Sequence, residues 1–252
     1  EFSWLRDANW QEVMRDPSVL RQDIREHLEA ENAYYNEVME PLSGLETRIY
    51  EEIRGRIKED DESPASRDGD WYYSSRYREG GQYPVFVRRA TGENGEMAGE
   101  EVIIFDGDAE AEGIDYFGLG AVQHSPNHRY LAYAVDTAGS EFYAVKIRDL
   151  ETGEDIATLT DEGYGSIVWG NDSETIYWVW RDENNRPRRV YRQNINSDDA
   201  ELIYEETDPG YFLGVGKTDG DRWIVLSAND HTTSEMRVFD ANDPNAEPIL
   251  IA

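Results

Sequence analysis

The residues able to do chemistry in this chain are few, and their spacing suits no familiar reaction. The histidines are His27, His124, His128 and His231, and there is no cysteine. His124 and His128 are four apart, as in a zinc-binding helix. Pro126 stands between them, so they cannot share a helix face, and a pair in a turn is the plainer reading. Gly163-Tyr164-Gly165-Ser166 comes nearest to a nucleophile elbow, but the next glycine is missing and a strand pattern follows instead of a helix. Two acidic runs, Glu59-Asp60-Asp61-Glu62 and Asp106-Gly107-Asp108-Ala109-Glu110, suggest calcium by composition. Neither has the ligand order and turn glycine of an EF-hand, so the first reads as a solvated linker and the second as an ordinary loop. No glycine-rich phosphate loop opens a helix. No cofactor or metal is expected, and no cluster in the chain carries a reaction by itself.

The elements that would hold such residues are mostly strands. Arg129 to Asp136, Glu141 to Leu150 and Asp155 to Thr160 are three runs with period-two alternation. Thr137-Ala138-Gly139-Ser140 and Glu151-Thr152-Gly153-Glu154 separate them as turns. The pattern returns at Thr175 to Trp180 and Pro187 to Ile195, and again at Arg222 to Ser227 and Glu235 to Asp240. Leu131, Ile176 and Ile224 align in it, 45 and 48 residues apart. An earlier copy opens at Asp68-Gly69-Asp70 and runs through Trp71 to Arg76, Tyr83 to Arg89 and Glu101 to Phe105. An all-β unit of this length, repeated, points to a β-propeller with one four-stranded blade per repeat. The expected blades are residues 68–120, 121–165, 166–210 and 211–252. Trp71, Tyr133, Tyr177, Trp178 and Trp223 sit at strand positions, where blade-to-blade packing explains them better than a binding stripe does.

Residues 1–62 differ in character and read as a helical arm before the propeller region of 63–252. Asp16-Pro17-Ser18 is a helix start, and Leu20, Ile24, Leu28, Tyr35 and Val38 follow at near-helical spacing. Pro41 ends that helix. Leu45, Ile49, Ile53 and Ile57 then mark one side of a second. These stripes have no partner sequence nearby.

The net charge is -30, and lysine occurs only at Lys58, Lys146 and Lys217. Such a surface repels nucleic acid and anionic membrane. It is either a solvated coat suited to high salt or the wall of an acidic cavity that attracts cations. No apolar run approaches the roughly 20 residues that span a bilayer. No signal segment precedes Trp4, which points to the cytoplasm, although a start at Glu1-Phe2-Ser3 leaves room for a missing N-terminus and hence for the periplasm.

Several stretches together resemble one family. They are Trp4-Leu5-Arg6-Asp7 with Trp10, Leu28-Glu29-Ala30-Glu31-Asn32-Ala33-Tyr34, and Glu51-Glu52-Ile53-Arg54-Gly55-Arg56-Ile57. Gly81-Gln82-Tyr83-Pro84, Gly139-Ser140-Glu141 and Asp149-Leu150-Glu151-Thr152-Gly153 extend the likeness over essentially the whole chain. The sequence is similar to the N-terminal region of oligopeptidase B, the basic-residue-specific branch of the prolyl oligopeptidase family of serine peptidases. The resemblance implies a helical arm, a seven-bladed propeller and a following α/β-hydrolase domain with a Ser, Asp and His triad. It also implies cleavage of short peptides after Arg or Lys, with the propeller limiting substrate size.

Measured against that family, the chain holds the arm and about four of seven blades, and the hydrolase domain is absent from it. No catalytic residue can therefore be carried over, and the chain alone is expected to be inactive. The apolar helices are expected to dock within the same protein on the hydrolase domain, through which short basic peptides would be bound. Arg148, beside the Asp149 turn, is a candidate for a salt bridge between domains. A stand-alone propeller that binds peptides or proteins is the alternative, and a calcium-dependent propeller a third.

Overall fold

Alternating residues in the repeat fold into strands, and fifteen of these occur among the described residues of the computed structural model, Phe2 to Ile251. Glu1 and Ala252 lie outside them. By compactness the chain divides into residues 1–112 and 113–252.

The first unit holds helices α1 (Trp10–Arg15), α2 (Gln22–Met39) and α3 (Ser43–Arg54). A 3-10 turn at Pro17–Val19 opens the approach to α2, with the Asp16 carboxylate accepting from the Ser18 N–H at 2.9 Å. Pro41 falls in the 3-10 turn Glu40–Leu42, where the missing amide of proline interrupts one helix and lets the next begin. Of the apolar stripe on α2, Ile24 is buried, while Leu28, Tyr35 and Val38 are exposed. Leu45, Ile49, Ile53 and Ile57 on and after α3 are 45% to 61% exposed, an unusually long apolar face in contact with water.

Strands β1 (Ser66–Asp68), β2 (Trp71–Arg76), β3 (Val85–Ala90) and β4 (Val102–Asp106) form an antiparallel sheet in chain order. Its core is Val85, Val87, Ile104 and Phe105. The acidic linker is exposed, yet it is laced to this sheet. Tyr77 N–H donates to Asp61 O and Ser63 N–H to Ser75 O, each at 2.8 Å, and Glu62 bridges Arg76. The expected boundary at residue 62 thus falls inside the first compact unit, because backbone hydrogen bonding continues across it. The second acidic run is a short helix, α4 (Gly107–Glu110). Asp106 takes a bidentate pair from Arg78 at 2.7 and 2.6 Å. Asp108 accepts from the backbone of Gln82 and Tyr83. These carboxylates serve the fold by holding the β2–β3 connection against the end of β4.

In the second unit, β5 (Gly118–His124), β6 (Tyr130–Asp136), β7 (Tyr143–Asp149), β8 (Glu154–Trp169), β9 (Thr175–Arg181), β10 (Pro187–Asn194) and β11 (Ala200–Glu205) form one seven-stranded antiparallel sheet. A further sheet holds β12 (Phe212–Lys217), β13 (Trp223–Asn229), β14 (Ser234–Asp240) and β15 (Ile249–Leu250). The seven strands are two blades fused through β8, a 16-residue strand that is the outer strand of one blade and the inner strand of the next. Gly163 lies at the changeover, paired with Tyr143 on one side and Trp180 on the other. A Cβ there would meet Tyr143 O and Val145 Cγ2 at 2.9 Å, so only glycine lets the strand pass.

The repeat is visible in three dimensions. Leu131, Ile176 and Ile224 are each the second residue of the second strand of a blade, and each is fully buried. The preceding turns carry left-handed residues at the same spacing, with φ of 59° at His128, 63° at Ser173 and 56° at Asp221. Period-two alternation then sorts each strand between two seams. Ile176 and Trp178 join Ala132, Ala134, Val145, Ile147, Ile167 and Trp169 between the second and third blades. Tyr177 and Val179 join Leu213, Ile224, Leu226 and Phe239 between the third and fourth. Consecutive aromatics Tyr177 and Trp178 therefore serve opposite seams. Trp71 and Trp223 are only half-buried, with Arg88 and Arg222 lying 4.0 and 4.7 Å from their ring centres.

Candidate functional site

Arg148 lies in the middle strands of its blade and not on a free loop. Its Nε donates to Asp155 Oδ1 at 2.7 Å and its Nη2 to the Tyr133 hydroxyl at 3.1 Å. Tyr133 OH in turn donates to Asp155 Oδ2 at 2.6 Å, closing a triangle across β6, β7 and β8. Burial alone would raise the Asp155 carboxyl, but hydrogen bonds from Arg148 and Tyr133 outweigh it and hold it below the usual carboxylate range. The guanidinium is thus engaged within its own blade. A contact with another domain would have to share Asp155 or displace it. Charge reversal at Arg148 should therefore destabilise the blade, whatever else it does, by setting two carboxylates side by side. The exchange Arg148→Asp with Asp155→Arg should recover most of the lost melting temperature. Failure of the exchange to recover it would mean that the pair is not the stabilising contact.

The other residues singled out by type have structural positions. His128 occupies the left-handed position of the β5–β6 turn, and its ring stacks on His124 at 5.6 Å. Ser166 does not stand on an elbow. Its Oγ donates to Val215 O at 3.0 Å and accepts from Val215 N–H at 3.3 Å, joining the inner strands of the third and fourth blades.

Ser166 also borders a feature that residue types alone did not indicate. Leu119, Gly120, Glu141, Tyr143, Tyr164, Gly165, Ser166 and Arg181 line an open cavity of about 470 Å³ between the second and third blades. Both inner strands are irregular here. Gly120 falls at a register shift of β5 against β6, and residues 164–166 lie within a shift of β8 against β9. The two backbones approach closely, since a Cβ on Gly120 would stand 3.1 Å from Gly165 Cα and 2.9 Å from the Tyr143 ring. Gly165 itself has φ of 88°, a backbone state costly for any other residue. Bulges of this kind commonly re-aim side chains beside functional sites.

The cavity's polar wall is one ion pair across the seam. Arg181, at the end of β9, donates from Nη1 to Glu141 Oε2 at 3.0 Å, and its guanidinium lies 4.7 Å from the Tyr164 ring centre. The Arg181 side chain is 9% exposed and that of Glu141 66%. Glu141 is placed by Asp136, whose buried carboxylate accepts from the N–H groups of Ala138, Gly139 and Glu141 at 2.9, 3.1 and 2.7 Å. Burial pushes the Tyr143 phenol above its ordinary range. Gly139-Ser140-Glu141 carried part of the family resemblance, whereas Arg181 had only a weak signal. It closes the second strand of its blade where the aligned blades have Asp136 and Asn229, so the repeat changes charge at that place.

The family model described as prolyl oligopeptidase, N-terminal β-propeller domain, matches residues 1–252. Dipeptidyl aminopeptidase BI of Pseudoxanthomonas mexicana is 34% identical over 99% of this chain and 35% of its own length. Protease 2 of Moraxella lacunata is 30% identical over 97% of the chain and 34% of its own length. The chain spans about a third of the length of these curated relatives. Among solved structures, oligopeptidase B of Trypanosoma brucei with covalently bound antipain superposes with a TM-score of 0.82 at 26% identity, over 98% of this chain and 34% of that one. Oligopeptidase B of Leishmania major gives the same TM-score and coverage at 25% identity.

Proposed function

Because the chain belongs to the prolyl oligopeptidase family as its N-terminal β-propeller domain, we propose that it is the arm and part of the lid of a serine endopeptidase that cleaves short peptides after Arg or Lys. The observation that carries this reading is the likeness to two oligopeptidase B structures over 98% of the chain, arm included. A propeller likeness alone would leave the arm unexplained. The exposed stripe of Leu45, Ile49, Ile53 and Ile57 suits docking on another domain of the same protein, because burial of such a face is favourable by about 25 cal/mol per Å². The blades would then restrict entry to chains thin enough to pass them, and the chemistry would reside in the docked domain.

The test uses the full-length protein and amide substrates ending in Arg, Lys or Pro. Cleavage after Arg and Lys is expected to exceed cleavage after Pro by roughly 100-fold, since a site built for a buried charge rejects a neutral side chain strongly. Peptides should be cut and the same sequence inside a folded protein left intact. Equal or better cleavage after Pro would overturn the basic specificity. The likeness to a dipeptidyl aminopeptidase adds one arm to the assay: acetylated and free N-termini are compared, and dependence on a free N-terminus would move the reading from endopeptidase to dipeptide release.

A further inference from the structure

We propose that the cavity between the second and third blades is a carboxylate-binding site, with Arg181 as its anchor and the C-terminal carboxylate of a peptide as its ligand. Arg181 is 7% exposed, and its Nε is buried without a hydrogen-bond partner. Glu141 engages Nη1 alone. A buried guanidinium normally has its donors satisfied, because an unmet buried donor costs about 1–3 kcal/mol. Nε is covered as the side chain stands, so binding turns the guanidinium to present its Nε and Nη2 edge, the side-on fork that matches a carboxylate with two parallel hydrogen bonds.

Three features of the cavity select among anions. The site holds one guanidinium and one carboxylate, so a bound monoanion leaves it with a single excess negative charge, and a phosphate dianion with more. The protein's net charge of -30 disfavours polyanions generally. The remaining wall is made by Leu119, Tyr143, Tyr164 and Ser166, and Gly120 and Gly165, at the strand irregularities, add backbone without side chains. An extended peptide terminus fits such a surface. That the carboxylate is borne by a peptide rests on the peptidase reading; the preference for a carboxylate rests on Arg181.

Binding to the full-length protein, measured calorimetrically, tests this without requiring hydrolysis. The probes are N-acetyl-trialanine as the free acid and as the C-terminal amide, neither of which contains a basic residue. The acid is expected to bind about tenfold more tightly, the ratio for one charge-assisted bidentate contact. Arg181→Gln should abolish the difference, and Arg181→Lys should restore only part of it, since an ammonium lacks the fork. Equal binding of acid and amide, or an acid preference that survives Arg181→Gln, overturns the proposal. If Arg181→Gln does not fold, Glu141→Gln decides. Removal of the competing carboxylate should tighten acid binding several-fold and leave the amide unchanged, whereas unchanged acid binding sinks the site. A protein that binds the acid but hydrolyses no peptide would retain this site and lose the peptidase reading.

Discussion

Tyr177→Ala is expected to lower stability by about 3–5 kcal/mol, the range for truncating a large buried aromatic. Tyr177 is fully buried, and its ring centre lies 4.9 Å from that of Phe239. It is the largest fully buried side chain that the third blade contributes to the seam with the fourth, among Leu213, Ile224 and Leu226. These neighbours are held by two sheets and cannot collapse into the space. For a chain of this size the loss corresponds to a fall in melting temperature of roughly 10 °C. Tyr177→Phe keeps the ring and should stay within about 1 kcal/mol of the parent. A small effect of the alanine variant would mean that the two blades do not share a packed seam.

The second large effect is expected at Asp136. Asp136 is 2% exposed, and its carboxylate accepts three backbone N–H bonds and one from the Ser140 hydroxyl. Asp136→Ala leaves those donors without an acceptor in a partly buried turn, at a cost of about 3 kcal/mol. The change should be local as well as global. Amide exchange at residues 138–141 should become fast, and Arg181 should lose the partner that holds it against Tyr164. Asp136→Asn retains one carbonyl acceptor and should fall between the two. Unchanged exchange protection at residues 138–141 in Asp136→Ala would show that backbone pairing alone shapes the turn.

Much of the fold was legible from residue order. Leu131, Ile176 and Ile224 aligned at the right spacing because each blade's second strand needs a fully buried apolar residue at that place, which recurs as the blade does. The same alignment places the left-handed residues His128, Ser173 and Asp221. The helices were legible through Pro41 and the i, i+4 isoleucines. The continuous strand β8 was not, because Gly163-Tyr164-Gly165 has the composition of a turn. The crowding by Tyr143 and Val145 that makes glycine necessary inside a strand comes from a neighbour some 20 residues earlier. Arg148 likewise looked free beside a turn. Its partner Asp155 lies opposite it only once the Asp149–Gly153 turn has closed in its particular register.

By itself the sequence determined the strand repeat, the two longer helices, the acidic surface and the family likeness, all of which depend on neighbours within a few residues or on simple counting. The tertiary structure alone decided which seam receives Tyr177 and which Trp178, that Arg148 is held by Asp155, and that Arg181 lies buried against Glu141, 40 residues away. Alternation places side chains on two faces without naming either face. Only packing of one blade on the next assigns the faces, and that same packing encloses a guanidinium whose donors the chain leaves partly unmet.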